Sequence, residues 1–201
     1  IRDRSVSRGL GDVYKRQVLL YIIFKNNKIG HACTILLMLA LIITLADQIA
    51  SSVCKPYFAR FRPTQDPEIM YLVHTVNGYR GGLYGFISSH AANTFAVAVF
   101  VSLLFRYWGA TVMMILWAII PSYSRIYLGV HYPGDILCGA LEGSIIGAVV
   151  YWGYMYVAKR YFDQPQYISD QYTSTGYTIN DIRILFITLL SLIHISEPTR
   201  H

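Results

Sequence analysis

The chain has 201 residues, of which 54% are hydrophobic and only 14% are charged, and its formal net charge is +6. Soluble domains usually carry about 25% charged residues, so this composition, with a mean hydropathy of +0.40, favours a membrane protein. The Lys and Arg residues lie between long apolar runs and form no continuous basic stripe, which argues against nucleic-acid binding. The cysteines Cys33, Cys54 and Cys138 form no CxxC pair, so neither a disulfide framework nor a zinc site is predicted.

Four segments approach the roughly 20 apolar residues that a helix needs to cross a bilayer. In chain order they are residues 31–50, 88–105, 107–123 and 133–158. A shorter apolar stretch, 18–24, is predicted to be the end of a fifth helix, whereas 182–195 is too short to assign. Buried helices of a soluble all-α protein are the alternative, but four of them would leave too little amphipathic surface to cover them. We therefore predict an all-α, polytopic transmembrane helical bundle.

The two ends differ from this apolar body. Residues 1–17 contain five Lys or Arg and two Asp without apolar periodicity, and the chain ends in a polar run from Ser196 to His201. We expect 1–17 to be a non-native or disordered extension, 18–162 to form the membrane domain, and 163–201 to be a tail whose last residues are non-native. A genuine basic arm and a genuine polar tail are the alternative.

Three polar clusters lie where the predicted helices begin or end, namely Lys55 to Pro63, Ser88 to His90, and Ser124 to Asp135. Antiparallel helices bring all three to one side of the membrane. The candidate site residues within them are Lys55, Arg62, Ser88, Ser89, His90, Arg125, His131 and Asp135. Three cations, two histidines, one carboxylate and a helix N-terminus then share one face, a combination that suits a phosphate group.

The cationic residues and the second cluster are expected to bind this phosphate. Arg62 and Arg125 can each make paired hydrogen bonds to phosphate oxygens, and Lys55 adds a point charge. Backbone N–H groups near Ser88 and Ser89 point towards an anion at the start of a helix. The alternative for these two serines is a simple helix N-cap.

The two histidines and the aspartate are expected to carry the chemistry. His131 and Asp135 are four residues apart, one turn if helical. Asp135 can then accept a hydrogen bond from one imidazole nitrogen, which fixes the tautomer and leaves the other nitrogen free to attack phosphorus. His90 remains as the general acid for the leaving oxygen. No cluster of Asp, Glu, His or Cys has metal-ligand spacing, so we expect neither a metal nor another cofactor.

This pattern resembles the type 2 phosphatidic acid phosphatase (PAP2), lipid phosphate phosphatase and vanadium haloperoxidase superfamily, in its bacterial membrane branch. Lys55 to Pro63 and Ser124 to Asp135 match two family motifs fully. The second motif departs, because Ile87-Ser88-Ser89-His90 stands where the family usually has Pro-Ser-Gly-His. The resemblance covers about residues 18–162, and it implies a six-helix membrane fold whose first helix is missing here.

The resemblance also implies a role for each residue of the site. His131 would be the nucleophile, Asp135 would orient it, and His90 would be the acid. The phosphate would be held by Lys55, Arg62, Ser88, Ser89 and Arg125. The implied function is hydrolysis of a lipid phosphate or pyrophosphate through a phosphohistidine. Undecaprenyl pyrophosphate ranks first by family frequency, followed by lipid A phosphate or phosphatidic acid. A non-catalytic lipid-phosphate binder or carrier is the alternative, but it would not need the His131–Asp135 pair. A vanadate-dependent peroxidase is disfavoured by the membrane spans.

The distribution of positive charge predicts the orientation. The side opposite the motifs carries Lys25, Lys28, Arg106, Lys159 and Arg160. The motif side carries Lys55, Arg60, Arg62, Arg80 and Arg125. Setting aside the three proposed phosphate ligands leaves two charges against five, so the positive-inside rule places the motifs outside the cytoplasm. We thus expect a multi-pass protein of the bacterial inner membrane whose site faces the periplasm or exterior.

Residues outside the proposed set of site residues are given simpler interpretations. Arg60 is interpreted as a headgroup or solvent contact, and Glu142 as the donor or acceptor of an interhelical hydrogen bond. The glycines at four-residue spacing, Gly139, Gly143 and Gly147, are expected to let two helices pack closely. The segment 64–86 is either a flap over the site or an interfacial loop.

Overall fold

The computed structural model describes residues 17–73, 75, 78–162 and 171–195, with side chains to residue 188. Within these ranges the chain folds into helices, and its β-structure is limited to two isolated β-bridges. The predicted all-α membrane bundle is confirmed. The predictions for residues 1–16, 163–170 and 196–201 lie outside the described residues.

Seven α-helices follow one another along the described chain. They are α1 (17–26), α2 (Ile29–Gln48), α3 (Lys55–Phe58), α4 (Ser89–Phe105), α5 (Trp108–Tyr127), α6 (Pro133–Tyr161) and α7 (Ile179–Ile195). A π-helical segment, Ile49–Cys54, joins α2 to α3. The resulting rod, Ile29–Phe58, is long and apolar enough to cross a membrane, as are α5 and α6. Helix α4 is apolar but has only 17 residues.

The four predicted spans correspond to α2, α4, α5 and α6, with small shifts at their ends. The stretch left unassigned near the C-terminus belongs to α7, which docks on α1 through buried polar contacts. The Lys25 Nζ atom lies 2.7 Å from the buried Asp181 carboxylate. The Asn26 amide donates to the same carboxylate at 3.0 Å. These partners are more than 150 residues apart, so local periodicity could not reveal them.

Helices α4 and α6 make the most extensive contact in the bundle, and glycines allow it. A Cβ added at Gly139 would lie 2.5 Å from the backbone oxygen of Ser88, the N-cap of α4, and one added at Gly143 or Gly147 would lie 2.0 or 2.4 Å from a backbone oxygen within α4. No side chain fits at such a distance, so the predicted packing role of these glycines is confirmed. This contact fixes the start of α4 against the start of α6.

Helix ends bring the motifs to one end of the bundle. Helix α3 stops at Ala59, which adopts a left-handed conformation with φ 44°. Helix α4 starts after Ser88, and α6 starts at Pro133, a favoured first residue because its missing N–H needs no partner there. The Ser88 backbone N–H donates to the Asp135 carbonyl at 3.1 Å, which joins the starts of α4 and α6 directly.

Candidate active site

Lys55 connects the first and second motifs. Its ammonium donates to the Ser51 hydroxyl at 3.0 Å and to the Ser89 hydroxyl at 2.9 Å. The two hydroxyls are themselves 3.3 Å apart. An ammonium has three N–H donors, so two serine contacts fix its position and leave one donor for an anion.

Ser88 performs a structural role with its side chain. Its hydroxyl accepts from the Ala91 N–H at 3.5 Å, and the residue is fully buried. This is the N-cap arrangement that was the alternative for Ser88. Ser89 differs, because its hydroxyl faces Lys55.

The third motif holds a buried histidine–aspartate pair. Asp135 has 0% and His131 4% of its surface exposed. The His131 Nδ1 atom lies 3.5 Å from Oδ2 of Asp135, which is longer than a normal hydrogen bond. The same Oδ2 accepts from the Tyr132 backbone N–H at 2.9 Å. Catalytic hydrogen bonds are often long without substrate and tighten when it binds, so the pair can orient the imidazole.

Burial lowers the pKa of His131 below its usual value, because the low-dielectric surroundings disfavour the imidazolium. Asp135 opposes this shift and raises the pKa, whereas Arg62 and Lys55 lower it. The net direction is downwards, so the neutral imidazole that a nucleophile requires is favoured.

The arginines of the first and third motifs, Arg62 and Arg125, both belong to the site around Asp135. Arg62 donates through Nε to the Tyr84 carbonyl at 3.1 Å, and Arg125 and Asp135 are within its electrostatic range. The Nε atom of Arg125 is buried and has no hydrogen-bond partner among the described residues. A buried donor without a partner is costly unless a ligand satisfies it, and a phosphate oxygen is a suitable acceptor.

His90 occupies the more open part of the same region. It is the second residue of α4 and is exposed. Four site residues act on it electrostatically, namely Arg125, His131, Lys55 and Arg62. The structure therefore gathers the six charged or titratable residues that the sequence placed in one site.

Two residues that the sequence interpretation missed complete the surroundings of Asp135. The Arg60 Nη1 atom lies 3.2 Å from Oδ1 of Asp135. The guanidinium also stacks over the Tyr132 ring, 4.2 Å from its centroid. The interpretation of Arg60 as a headgroup or solvent contact therefore covers only part of its role, because 47% of its side chain is exposed while its guanidinium also pairs with the fully buried Asp135 carboxylate. A buried carboxylate needs a cation or hydrogen-bond donors, and this need of Asp135 could have pointed to Arg60 as its partner.

The segment after the first motif folds back against the arginine. Phe61 and Tyr84 form an isolated β-bridge. A Cβ at Gly85 would lie 3.1 Å from Arg62 Cγ and 3.3 Å from Asp135 Oδ2, so the glycine backbone packs directly on the site. Gly81 has φ +68° and would also collide with the Arg62 guanidinium if it carried a side chain. Part of the segment 64–86 thus forms a wall of the site.

The interpretation of Glu142 needs correction. Both of its carboxyl oxygens are buried and have no hydrogen-bond partner among the described residues, so the expected interhelical hydrogen bond is not formed there. Cys54, whose thiol is a weak donor, lies within its electrostatic range. In the described part of the chain, no group of three or more His, Cys, Asp or Glu could hold a metal ion.

Comparison with known proteins identifies relatives that are named as phosphatases or diphosphatases. The chain is 45% identical to the lipid A 4'-phosphatase of Bacteroides thetaiotaomicron over 67% of this chain and 60% of that protein. It is 36% identical to the lipid A 4'-phosphatase of Porphyromonas gingivalis over 87% of this chain and 72% of that protein. It is 31% identical to the undecaprenyl-diphosphatase of Sulfolobus acidocaldarius over 64% of this chain and 56% of that protein.

No solved structure matches the chain. The family model of the PAP2 superfamily matches residues 31–161, a region that contains all three motifs, helices α3 to α6 and all but the first two residues of α2. The chain therefore belongs to the PAP2 superfamily.

Proposed function

We propose that this protein is a membrane phosphatase that hydrolyses a lipid phosphate through a phosphohistidine at His131. The observation that carries the proposal is the buried His131–Asp135 pair, with a 3.5 Å contact, beside the cations Lys55, Arg62 and Arg125. A simple phosphate binder would need the cations but not this pair. A phosphate oxygen of the substrate would satisfy the Arg125 Nε donor, which has no hydrogen-bond partner among the described residues.

In the first step, Nε2 of neutral His131 attacks phosphorus as the bond to the lipid oxygen breaks. Nδ1 keeps its proton, which Asp135 stabilises as the ring gains positive charge. The leaving lipid oxygen takes a proton from His90. Lys55, Arg62 and Arg125 neutralise the charge on the equatorial oxygens of the transferring phosphoryl group.

In the second step, water hydrolyses the phosphohistidine. His90, now neutral, accepts a proton from water as the water oxygen attacks phosphorus. The P–N bond breaks, inorganic phosphate leaves, and His131 returns to its neutral form. Each cycle consumes one water and returns both histidines to their starting protonation states.

Lipid A phosphorylated at the 4' position is the substrate that we propose first. Two relatives that carry this activity in their names align over 67% and 87% of this chain. This reverses the ranking by family frequency, which put undecaprenyl pyrophosphate first. The latter stays the second candidate, because a relative named undecaprenyl-diphosphatase is 31% identical over 128 residues.

The protein is proposed to lie in a bacterial inner membrane with its site on the periplasmic or external side. Exposed aromatic residues occur towards both ends of the bundle, for example Tyr57 and Tyr127 near the motifs and Trp108 and Tyr161 at the opposite end. Such aromatic residues are typical of the two membrane interfaces. The charge asymmetry between the two sides supports the external orientation of the site.

Phosphate release from a lipid panel tests the proposal. The full chain in detergent micelles is given bis-phosphorylated lipid A, undecaprenyl pyrophosphate or phosphatidic acid, with His131→Ala as the inactive control. We expect fastest release from lipid A, with tandem mass spectrometry locating the loss at the 4' position. Preference for undecaprenyl pyrophosphate would reverse the substrate order, and equal release by His131→Ala would refute the mechanism.

A further inference from the structure

Arg60 pairs with one oxygen of the buried Asp135 carboxylate. Its Nη1 atom is 3.2 Å from Oδ1 of Asp135, while Oδ2 faces the Tyr132 N–H at 2.9 Å and the His131 Nδ1 at 3.5 Å. The carboxylate is fully buried, whereas 47% of the Arg60 side chain is exposed. The two carboxylate oxygens of Asp135 therefore have separate partners.

Besides this carboxylate, Arg60 contacts an aromatic ring and a backbone N–H group. Its guanidinium stacks on the Tyr132 ring, and the Tyr132 hydroxyl donates to Asp66 at 3.1 Å. Its backbone carbonyl accepts from the Gly85 N–H at 2.9 Å. A planar guanidinium can bind a carboxylate and stack on a ring at the same time, which a lysine cannot do.

We propose that Arg60 is a positioning residue that fixes the Asp135 carboxylate so that Oδ2 remains directed at His131. The proposal rests on the proposed function, because it assigns Arg60 a part in activating the same nucleophile. Arg60 acts through Asp135 and not on phosphate. Arg125 differs from it in having a buried Nε donor without a described partner.

Charge gives this role a measurable consequence. The charged and titratable groups that act on His131 are Asp135, Arg62, Lys55 and His90. Arg60 neutralises part of the Asp135 charge, so its removal lets the carboxylate stabilise the His131 imidazolium more strongly. The His131 pKa should then rise. Removal of the carboxylate in Asp135→Asn should lower it, which is the opposite direction.

The experiment compares wild type, Arg60→Gln, Arg60→Lys and Asp135→Asn in the full chain. Arg160→Gln, an exposed residue near the far end of α6, is the matched control for loss of one arginine charge. Three quantities are measured, namely the pH dependence of kcat and kcat/KM, the inhibition constant of vanadate, and the His131 titration by NMR of imidazole Cε1–H signals, assigned with His131→Ala. The NMR titration does not depend on turnover.

We expect Arg60→Gln to lower kcat by up to about a hundredfold, since misplaced catalytic groups lose rate on that scale. Its vanadate inhibition should stay within about threefold of wild type, and its acid limb and His131 titration should move to higher pH. Arg60→Lys should recover part of the rate. If Arg60→Gln does not fold, Arg60→Lys must itself show a reduced kcat with unchanged vanadate inhibition.

Two results would overturn the proposal. One is an Arg60 variant with wild-type kcat and an unmoved His131 titration. The other is an unmoved titration with strongly weakened vanadate inhibition, which would make Arg60 a phosphate ligand. If wild type hydrolysed no lipid phosphate, the proposed function would fail. The NMR titrations of Arg60→Gln and Asp135→Asn would still decide whether Arg60 controls the Asp135–His131 pair.

Discussion

The Lys55 ammonium and the Ser89 hydroxyl meet at 2.9 Å, so one of the two residues that depart from the usual family motif contacts a proposed phosphate ligand. Ser89 stands where the family pattern usually has glycine, and it adds a hydroxyl beside the one supplied by Ser51. The Ser89 side chain is therefore bulkier than the usual glycine, but it also positions the Lys55 ammonium.

Ser89→Ala should weaken phosphate binding. Loss of one hydrogen bond to Lys55 costs about 1 kcal/mol, or roughly fivefold in affinity, because the ammonium is then held by Ser51 alone. The measurement is the inhibition constant of vanadate, a phosphate mimic. Ser52→Ala is the matched control, since the Ser52 hydroxyl donates to Gln48 at an exposed position. Tighter vanadate inhibition in Ser89→Ala would show that the serine competes with phosphate for Lys55.

The pH dependence of kcat/KM should reflect the lowered pKa of His131. Below this pKa the imidazole is protonated and cannot attack, so the acid limb should lie below the usual histidine range. Asp135 raises the His131 pKa, so Asp135→Asn should move the limb further down while it reduces the rate. A limb above the ordinary range in wild type would contradict the burial effect.

Long apolar runs and the polar clusters at their ends were enough to predict the bundle and to place the site residues together. Because consecutive helices cross the membrane in opposite directions, the end of one helix and the start of the next lie at the same membrane face. The Arg60–Asp135 pair could not be predicted in this way. It depends on the turn after Ala59 and on how 60–66 folds back, which no periodicity specifies.

Helix α7 escaped prediction for a related reason. Its apolar stretch is short, and contacts that help to dock it come from Asp181 with Lys25 and Asn26 at the other end of the chain. Glu142, whose carboxyl oxygens have no hydrogen-bond partner in the part of the chain that the structure describes, is a third example. A membrane-embedded acid implies a hydrogen bond in general, but pairing depends on side-chain positions that the sequence does not reveal.

Gly143→Ala should destabilise the protein. Its new Cβ would lie 2.0 Å from the Ala92 carbonyl oxygen, so α4 and α6 would have to separate. Overpacking of this kind costs about 1–3 kcal/mol, and it would also separate the start of α4, which carries His90, from the start of α6. Gly153→Ala on the same helix is the control, because nothing lies within 4 Å of its added Cβ. Thermal unfolding in detergent should show a lower midpoint for Gly143→Ala and no loss for Gly153→Ala.

Activity should not require a metal. The three cations Lys55, Arg62 and Arg125 can neutralise the phosphate without one. Phosphate release should therefore persist after treatment with EDTA, and vanadate should inhibit. Complete loss on chelation that Mg²⁺ restores would refute the mechanism.

The two histidines should be separable by their dependence on the leaving group. His131→Ala should abolish both turnover and the trapped phosphoenzyme, because His131 is the histidine that contacts Asp135. His90→Ala should slow the first step strongly for a lipid monophosphate, whose leaving alkoxide or sugar oxygen needs a proton. The effect should be smaller for a pyrophosphate, since a phosphate leaving group is already stabilised. A radioactive phosphoryl label that passes from the substrate to the protein and is acid-labile but base-stable would identify phosphohistidine. If His131→Ala still accumulated this label at the wild-type level, His90 would become the candidate nucleophile.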